Sequence, residues 1–531
     1  MLKPMKTPGV YIQELDAFGN SVVPAPTAIP AFIGYTEQTT FNGTNLLNKP
    51  IKVDSLAMFK SIFEPTNPEL KPSITFKVEL EGDSFAEKTP SFSNNGVDYY
   101  VSPSTITHRL HSAMKFFYAN GGGECYIISI GDYKTELDTA DFVAAISSLK
   151  KEIEPTMLVI PDAVELATGS TTDPLSVKNS QIYALQEAMI NHCGDQMNRV
   201  AILDVPGGFD EPISEPNASV NAFRNGVSPL DPKFNSYAVA YYPWLHTSVY
   251  ITSDITYKNI DPSSYSAIVA ILTAELKGTA TFVVKESGEL IPEIAKILSF
   301  FSNTPDTSEP KMTMDKVDAT LKNISAVYPI ILEKIRDQLN LMPPSAAMAG
   351  IYTSSDNSEG VWKAPANVTI QNVIAPAVKI DSEMQQDLNV PTSGKSICAI
   401  RAFAGRGNLV WGARTLDGNS NDWRYINVRR TIIFIEQSIK DATMAYVFAP
   451  NDASTWETVR SMISNFLTGL WNQGGLVGPK PTDAFSVNVG LGSTMTNHDI
   501  QQGIMRVAVK VALSHPAEFI EITFQQQMQK A

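Results

Sequence analysis

The sequence is poor in cysteine and lacks any long apolar run. Its 531 residues contain three cysteines, Cys125, Cys193 and Cys398, far apart along the chain. So few thiols in an odd number exclude a disulfide framework and are typical of a protein made in a reducing compartment. No apolar run approaches the roughly 18–20 residues of a membrane span, and the N-terminus (MLKPMKTPGVY) has no apolar signal-peptide core. We therefore expect synthesis without a Sec-type signal and no direct membrane insertion.

Basic residues are also in deficit. The chain has 41 lysines and arginines against 55 acidic residues, a net charge of −14. Phosphate contacts require clustered cations, so we expect no nucleic-acid partner. The densest basic cluster, Arg424 with Arg429 and Arg430, is interpreted as a helix face that pairs with carboxylates. With 43% apolar and 18% charged residues, the composition is that of a globular protein with a large core, long enough for two to four domains.

Strands and helices alternate through the middle of the chain. This order predicts a mainly parallel α/β layer. The predicted strands are Cys125–Ile130, Thr156–Ile160, Arg199–Leu203 and Ala238–Trp244, and the predicted helices are Asp138–Lys150, Asn179–Cys193 and Ser263–Leu276. Before this region, Glu64–Pro103 is rich in proline, serine, asparagine and charge. We interpret it as a partly stranded surface insertion.

The last hundred residues have a different pattern. Apolar residues at helical spacing predict a helix over Arg424–Tyr446. Ser454 and Glu457 have capping-box spacing at the start of a second helix, which carries an apolar stripe from Trp456 to Trp471. Its opposite face is small and polar. After a glycine turn, alternation predicts strands that include Phe485–Leu491, Arg506–Ala512 and Phe519–Phe524.

Both ends of the chain carry a short strand pattern. Val10–Leu15 is set off from the body by the proline-containing loop Asp16–Pro26, and Phe519–Phe524 is followed by a polar tail. Most terminal strands close their own sheet, and the pattern alone favours that interpretation. The alternative is strand addition to a neighbouring chain, whose sheet edge offers unpaired backbone groups.

Two aspartates could support chemistry. Asp162 and Asp204 each follow an apolar strand, and the carboxyl ends of strands in a doubly wound sheet are where ligands bind. One interpretation is a metal-dependent or hydrolytic enzyme that uses both carboxylates. The other, which we favour, is that each aspartate caps a loop or turn. Glycine-rich segments match neither phosphate-binding fingerprint. We expect no catalytic residue, metal or cofactor.

Ten segments, in order from residue 7 to the C-terminal region, resemble the tail-sheath family of contractile phages and contractile injection systems. They are TPGVYIQE (7–14), FFYANGGGECY (116–126), VIPD (159–162), YYPWL (241–245), PPSAAMAGIYTSSD (343–356), GVWKAPAN (360–367), GRGNLVWGARTL (405–416), YINVRRTIIFI (425–435), APNDASTW (449–456) and PAEFIEI (516–522). The segment 64–103 has no counterpart in the family. Both halves of a sheath protein lie in one chain, which is more similar to a phage tail or an extracellular injection particle than to a two-chain sheath.

The resemblance implies a fold, a function and partners. The implied fold is multi-domain α/β, with outer and middle α/β domains (27–400, including the insertion 64–103), a C-terminal α+β domain facing a tube (401–515), and strand arms at 1–26 and 516–531. The implied function is a non-enzymatic subunit of stacked hexameric rings that contract around an inner tube to drive it through a target cell envelope. The implied partners are other copies of the chain, the tube protein, baseplate and terminator or cap proteins, and paralogous sheath subunits. Assembly is expected in the bacterial cytoplasm, before the particle is released or anchored.

The resemblance also implies roles for particular residues, and it reverses the preference for self-contained terminal strands. The expected inter-subunit arms are Val10, Tyr11, Ile12, Gln13, Glu14, Leu15, Phe519, Ile520, Glu521, Ile522, Thr523 and Phe524. The expected strand-accepting sheet contains Phe485, Val487, Val489, Val507, Val509 and Val511. The helix expected to face the tube presents Ser454, Glu457, Arg460, Ser461, Ser464, Asn465 and Thr468.

Overall fold

The computed structural model describes most of the chain and divides it into two compact units. The described residues are 22–65, 75–80, 90–94, 96–104, 108–166, 180–209, 217–279, 290–301 and 313–522. Within them, the small unit contains 22–26, 360–362 and 430–522, and the large unit contains 27–359 and 363–429. The units divide between Arg429 and Arg430, later than the boundary predicted at 400/401, because the strands that follow residue 397 belong to the sheet of the large unit.

The described chain forms strands in both units. In chain order they are β1 (Pro30–Thr36), β2 (Thr40–Phe41), β3 (Thr44–Asn45), β4 (Ile51–Val53), β5 (Phe76–Leu80), β6 (Phe92–Asn94), β7 (Val97–Pro103), β8 (Cys125–Asp132), β9 (Met157–Val159), β10 (Val200–Asp204), β11 (Ala238–Tyr242), β12 (Leu245–Thr247), β13 (Leu341–Met342), β14 (Val373–Pro376), β15 (Cys398–Phe403), β16 (Gly407–Val410), β17 (Phe485–Val489) and β18 (Val507–Val511).

Helices connect these strands. They are α1 (Leu56–Phe63), α2 (Leu110–Ala119), α3 (Thr139–Ser148), α4 (Ser180–Gln196), α5 (Ala218–Gly226), α6 (Tyr265–Thr279), α7 (Pro292–Ser299), α8 (Met314–Ile324), α9 (Val327–Leu339), α10 (Ser345–Glu359), α11 (Ser382–Asn389), α12 (Ile426–Thr443), α13 (Ala453–Asn472), α14 (Pro481–Ala484) and α15 (Asn497–Gln501). No helix in the described ranges is long and apolar enough to cross a membrane.

The large unit is built on an eight-stranded sheet in the order β16-β15-β11-β10-β9-β1-β8-β4. The six inner strands pair in parallel, and β16 and β4 are antiparallel at the edges. All residues of β1, β10 and β11 are buried, as expected for parallel strands covered on both faces. Helices α2 and α10 pack together against the sheet, as do α3 and α4. The predicted α/β layer is confirmed.

A helical subdomain, which we define as β5–β7 with α6–α9, has its own core within the large unit. Its antiparallel sheet has the order β5-β7-β6. Phe76, Val78 and Val101 from the sheet lie in one buried cluster with Leu272 and Ile331 from the helices. The described strands of the segment 64–103 thus contribute side chains to this core, whereas the sequence predicted a surface insertion. The helix predicted at Ser263–Leu276 is α6 and belongs here, not to the main α/β layer.

The small unit is an α+β unit. Helix α13 packs on β17, and the two strands pair antiparallel with Phe485 opposite Val511 and Val489 opposite Val507. The core includes Val459, Ile463 and Leu467 of α13, each fully buried. The two predicted helices and the first two of the three predicted strands are therefore confirmed, with α14 before β17 and α15 between β17 and β18. The third predicted strand, Phe519–Phe524, is not a strand over its described residues 519–522.

Candidate assembly interface

The ribbon β17–β18 is where the predicted strand-accepting residues lie. Its apolar residues pack into the core of the small unit; they are Phe485, Val487, Val489, Val507, Val509 and Val511. The alternate residues of β18, Ala508 and Lys510, are exposed. One face of the ribbon is therefore fixed to α13, and register is specified because a slip of one residue would turn the apolar side chains outward.

Both edges of this ribbon are open in the described chain. Across residues 22–522, apart from the undescribed gaps, no third strand pairs with β17 or β18. Ala512 N–H donates to Ala484 O at 2.8 Å. Since hydrogen-bonded pairs alternate along an antiparallel ladder, the backbone groups of Val487 and Val509 point away from the ribbon. A two-stranded ribbon is marginal by itself, and open edges of this kind accept a further strand.

The C-terminal segment has no regular secondary structure in the single chain, since residues 514–522 lie outside any helix or strand. Phe519, Ile520 and Ile522 are 75%, 78% and 69% exposed, although their sequence is strongly β-forming. Thr523 and Phe524 lie outside the described residues, as does the whole N-terminal arm Val10–Leu15. Whether these arms link subunits stays a prediction.

The leash that precedes β1 is anchored in the small unit. Val22 belongs to its buried core, and Ala25 packs against the same cluster. The backbone N–H of Ala25 donates to Ser438 Oγ of α12 at 2.9 Å. The start of the described chain is thus bound to the unit that carries the open ribbon.

The capping residue of α13 lies earlier in the chain than predicted. Asp452, not Ser454, is the N-cap residue, and its carboxylate accepts a hydrogen bond from Thr455 N–H at 3.0 Å. Ser454 therefore lies within the helix, and Glu457 pairs with Arg460 at 2.5 Å instead of closing a capping box. The sequence signal was ambiguous because aspartate and serine are both good N-caps.

The polar face of α13 is accessible, as a contact surface requires. Five of the residues predicted to face the tube are exposed: Ser454, Glu457, Arg460, Ser461 and Asn465. Ser464 and Thr468 are half-buried, and the Thr468 hydroxyl donates to Ser464 O at 2.8 Å. The structure brings these residues onto one helix, but their contact with a tube remains a prediction.

The alternative site at Asp162 and Asp204 is occupied by the protein's own backbone. Strands β8 and β9 lie on opposite sides of β1 in the sheet. The strand order therefore reverses between β1 and β9, and a reversal of this kind leaves a crevice at the carboxyl ends of the two strands. Asp162, which follows β9, fills it: its carboxylate accepts hydrogen bonds from Tyr35 N–H at 3.1 Å and from Arg109 N–H. A Cβ at Gly34 would lie 2.5 Å from Asp162 Oδ2, so there is no room for a ligand there.

Asp204 has an equally structural position. It accepts hydrogen bonds from the N–H of Ser345 at 2.8 Å and from its hydroxyl at 2.5 Å, at the first turn of α10. Burial raises the pKa of Asp204 to about 7, and it also raises the pKa of Asp162. Each aspartate thus accepts a hydrogen bond from a backbone N–H near the start of a helix that is remote in sequence: α2 for Asp162 and α10 for Asp204. These contacts differ from the predicted caps of each aspartate's own following turn. The described residues contain no cluster of three side chains that could hold a metal.

Comparisons with known proteins find similarity to phage tail sheath proteins over part of the chain. A family model described as the phage tail sheath C-terminal domain matches residues 419–527. The tail sheath protein of Vibrio phage KVP40 is 24% identical over 161 residues, and that of Enterobacteria phage T4 is 25% identical over 161 residues. Each alignment covers 29% of this chain and 24% of the relative. The chain thus matches about a quarter of the length of these curated relatives.

Solved structures match over nearly the whole chain. The sheath complex of the extracellular contractile injection system PVC, in its contracted state, aligns with a TM-score of 0.58 and 26% identity, covering 99% of each chain. The helical sheath of the anti-feeding prophage, also contracted, aligns with a TM-score of 0.56 and 25% identity, covering 98% of this chain and 100% of the other. These similar proteins are sheath components rather than enzymes.

Proposed function

We propose that the chain is the structural subunit of a contractile sheath, on the strength of its similarity to phage tail sheath proteins and to the sheaths of contractile injection systems. Copies assemble as stacked hexameric rings around an inner tube and contract to drive that tube through a target cell envelope. The particle is a phage tail or a related tail-like injection particle. Its further partners are the baseplate, a terminator or cap protein and, in particles with several sheath proteins, paralogous subunits.

The observation that carries this proposal is the combination of an open ribbon with an unpaired strand-forming segment on the same unit. The edges of β17 and β18 leave backbone donors and acceptors unpaired by a third described strand. Ile520 and Ile522 are largely exposed in the single chain. Addition of Phe519–Phe524 to the ribbon of a second copy satisfies both, with main-chain hydrogen bonds that do not depend on side-chain fit. The arm Val10–Leu15 serves the opposite edge.

This arrangement fits contraction. A head-to-tail contact that does not close on itself propagates as a helix. Strand-exchanged links retain their backbone hydrogen bonds while the attached bodies rotate about those links. The extended sheath is then a kinetically trapped state, and contraction releases the energy of added contacts between large units. The exposed polar face of α13 contacts the tube loosely enough to let it slide, because polar surfaces bind less tightly than apolar cores.

The proposal is tested by removing the exposed apolar side chains of the C-terminal segment. The variant Ile520→Ser/Ile522→Ser changes two residues that share one face of a strand. Their exposure predicts normal folding by circular dichroism. Burying each isoleucine in a neighbour's sheet contributes about 1.5–3 kcal/mol, so we expect loss of rings and tubes in sedimentation velocity and negative-stain microscopy.

The matched control is Leu230→Ser/Ile153→Ser. These aliphatic residues of the large unit are 86% and 68% exposed and have no proposed role in assembly. We expect this variant to assemble like the wild type. If the wild-type chain stays a small particle even with tube and baseplate proteins supplied, it is not a sheath subunit. If both double variants assemble normally, the sheath subunits are not linked through Ile520 and Ile522.

A further inference from the structure

The hairpin β15–β16 presents an unusual surface on the large unit. Phe403 pairs with Gly407 across the turn, and Arg406 N–H donates to Phe403 O at 3.1 Å. The turn needs φ values of +72° and +82° at Gly405 and Gly407, a backbone conformation that glycine adopts without strain. Arg406 is therefore held at the tip of a tight, well-defined turn. We call the surface formed by Arg401, Phe403, Arg406 and Trp411 the arginine hairpin.

The cations of the arginine hairpin have no carboxylate partner among the described residues. Arg336, Arg460 and Arg506 pair with carboxylates: Arg336 with Glu333 at 3.1 Å, Arg460 with Glu457 at 2.5 Å and Arg506 with Asp499 at 3.3 Å. Arg406, which is exposed, instead donates to the amide oxygen of Asn367 at 2.5 Å. The hairpin therefore places two arginines without an acid on one strand pair, in a chain with 55 acidic and 41 basic residues.

Aromatic rings hold these arginines in place. The guanidinium of Arg401 lies 5.6 Å from the ring centre of Phe403, and that of Arg406 lies 5.8 Å from Trp411. The rings of Phe403 and Trp411 are themselves 4.5 Å apart. A cation within about 6 Å of an aromatic ring centre is attracted to the ring, so the two rings restrain both arginines before a partner binds.

The composition of this surface is that of an interface centre. Tryptophan and arginine are enriched among residues that dominate binding energy. Trp411 is 36% exposed. Ile374 of β14 is 69% exposed, and its carbonyl accepts a hydrogen bond from Asn408 Nδ2 of β16 at 3.2 Å. Trp411 and Ile374 thus offer exposed apolar surface that a partner can bury.

We propose that the arginine hairpin binds carboxylates on a second copy of this chain and forms a contact between large units. The charge balance supports this occupant: a net charge of −14 means that another copy carries more carboxylates than cations, and planar guanidinium groups bind carboxylates with two parallel hydrogen bonds. The inference rests on the proposed sheath function, because it adds a second contact to the strand links. The attraction between the hairpin arginines and these carboxylates stabilises the contact between large units in the polymer and has no role in strand exchange.

The test removes the two charges without touching the strand links. We compare Arg401→Gln/Arg406→Gln with a control that has the same change in net charge, Lys151→Gln/Lys233→Gln, in the full-length protein; both control lysines are exposed residues of the large unit. We expect the hairpin variant to raise the protein concentration needed for polymer formation at least about tenfold, and the control to change it less than about twofold. Thermal unfolding should be the same for both.

Chemical specificity provides a second readout. Arg401→Lys/Arg406→Lys keeps the charge but lacks the planar fork, so we expect partial recovery. Wild-type assembly should weaken as salt rises from about 0.05 to 0.5 M, and the glutamine variant should lose part of this dependence. A hairpin variant that assembles like the wild type and with the same salt dependence would overturn the inference while leaving the sheath function intact. Failure of the wild type itself to assemble would overturn both.

Discussion

Replacing Asp204 with asparagine would remove a titrating group from the core of the large unit. Asp204 is 4% exposed, and burial raises its pKa from 3.8 to about 7, against the lowering effect of the hydrogen bonds from Ser345. The folded protein therefore binds this proton more tightly than the unfolded chain. Stabilisation from Asp204 is complete below the unfolded pKa of about 4 and is lost as pH rises through about 7.

The size of this effect follows from the shift. About three pKa units at 1.36 kcal/mol each give about 4 kcal/mol. The asparagine side chain would resemble the protonated acid, because its amide donates where the carboxyl hydrogen did. We expect the free energy of unfolding of Asp204→Asn, relative to wild type, to rise by about 4 kcal/mol between about pH 3.5 and 8.5.

Denaturant titrations across this pH range, read at the transition of the large unit, measure the difference. The control Asp138→Asn changes an exposed residue that caps α3; its difference from wild type should stay within about 1 kcal/mol across the range. Parallel stability curves for wild type and Asp204→Asn would refute the reasoning. They would mean that Asp204 is ionised in the folded state without penalty, as a solvated carboxylate would be.

Three further predictions concern single residues. Asp452→Ala should destabilise the small unit by about 1 kcal/mol in thermal unfolding, whereas Ser454→Ala should be neutral; the reverse result would restore the capping box predicted from sequence. Phe448 has φ +68° and is fully exposed, so Phe448→Gly should raise the melting temperature by relieving about 1 kcal/mol of backbone strain; a lower melting temperature would contradict this. Burial lowers the pKa of His192 to about 4, so the stability contributed by the neutral imidazole is lost as pH falls from about 6.5 to 4. His192→Leu should therefore lose less stability than the wild type over this pH range. An equal loss in both proteins would contradict this prediction.

The periodic spacing of apolar residues was enough to predict individual strands and helices of the large unit. The strand beginning at Cys125 and the helix beginning near Asn179 appear within a few residues of their predicted bounds, because their apolar spacing reflects burial on a sheet. Periodicity did not predict which of the hydrophobic cores a helix packs into. Helix α6 has the same apolar spacing as a helix covering a parallel sheet, yet it packs in the helical subdomain, where its partners come from remote parts of the chain.

Long-range contacts account for what the sequence could not show at the candidate sites. The aspartate after β10 was predicted to cap its own turn, but it binds the start of α10, 141 residues later. The sequence did not indicate the arginine hairpin, since the approach of its cations to Phe403 and Trp411 depends on the register of β15 and β16. The expectation that the ribbon accepts strands comes from the family resemblance rather than from residue spacing, and the absence of a third described strand at its edges supports that proposal.

Cryo-electron microscopy of the assembled protein is the most direct test of strand-linked assembly. Reconstruction of the polymer should show Phe519–Phe524 of one subunit as an added strand on β17 or β18 of a neighbouring copy, with Val10–Leu15 on another. Rings of sixfold symmetry should repeat along the axis. A polymer in which each C-terminal segment folds onto its own ribbon, and subunits meet only through side chains, would contradict the strand-exchange mechanism.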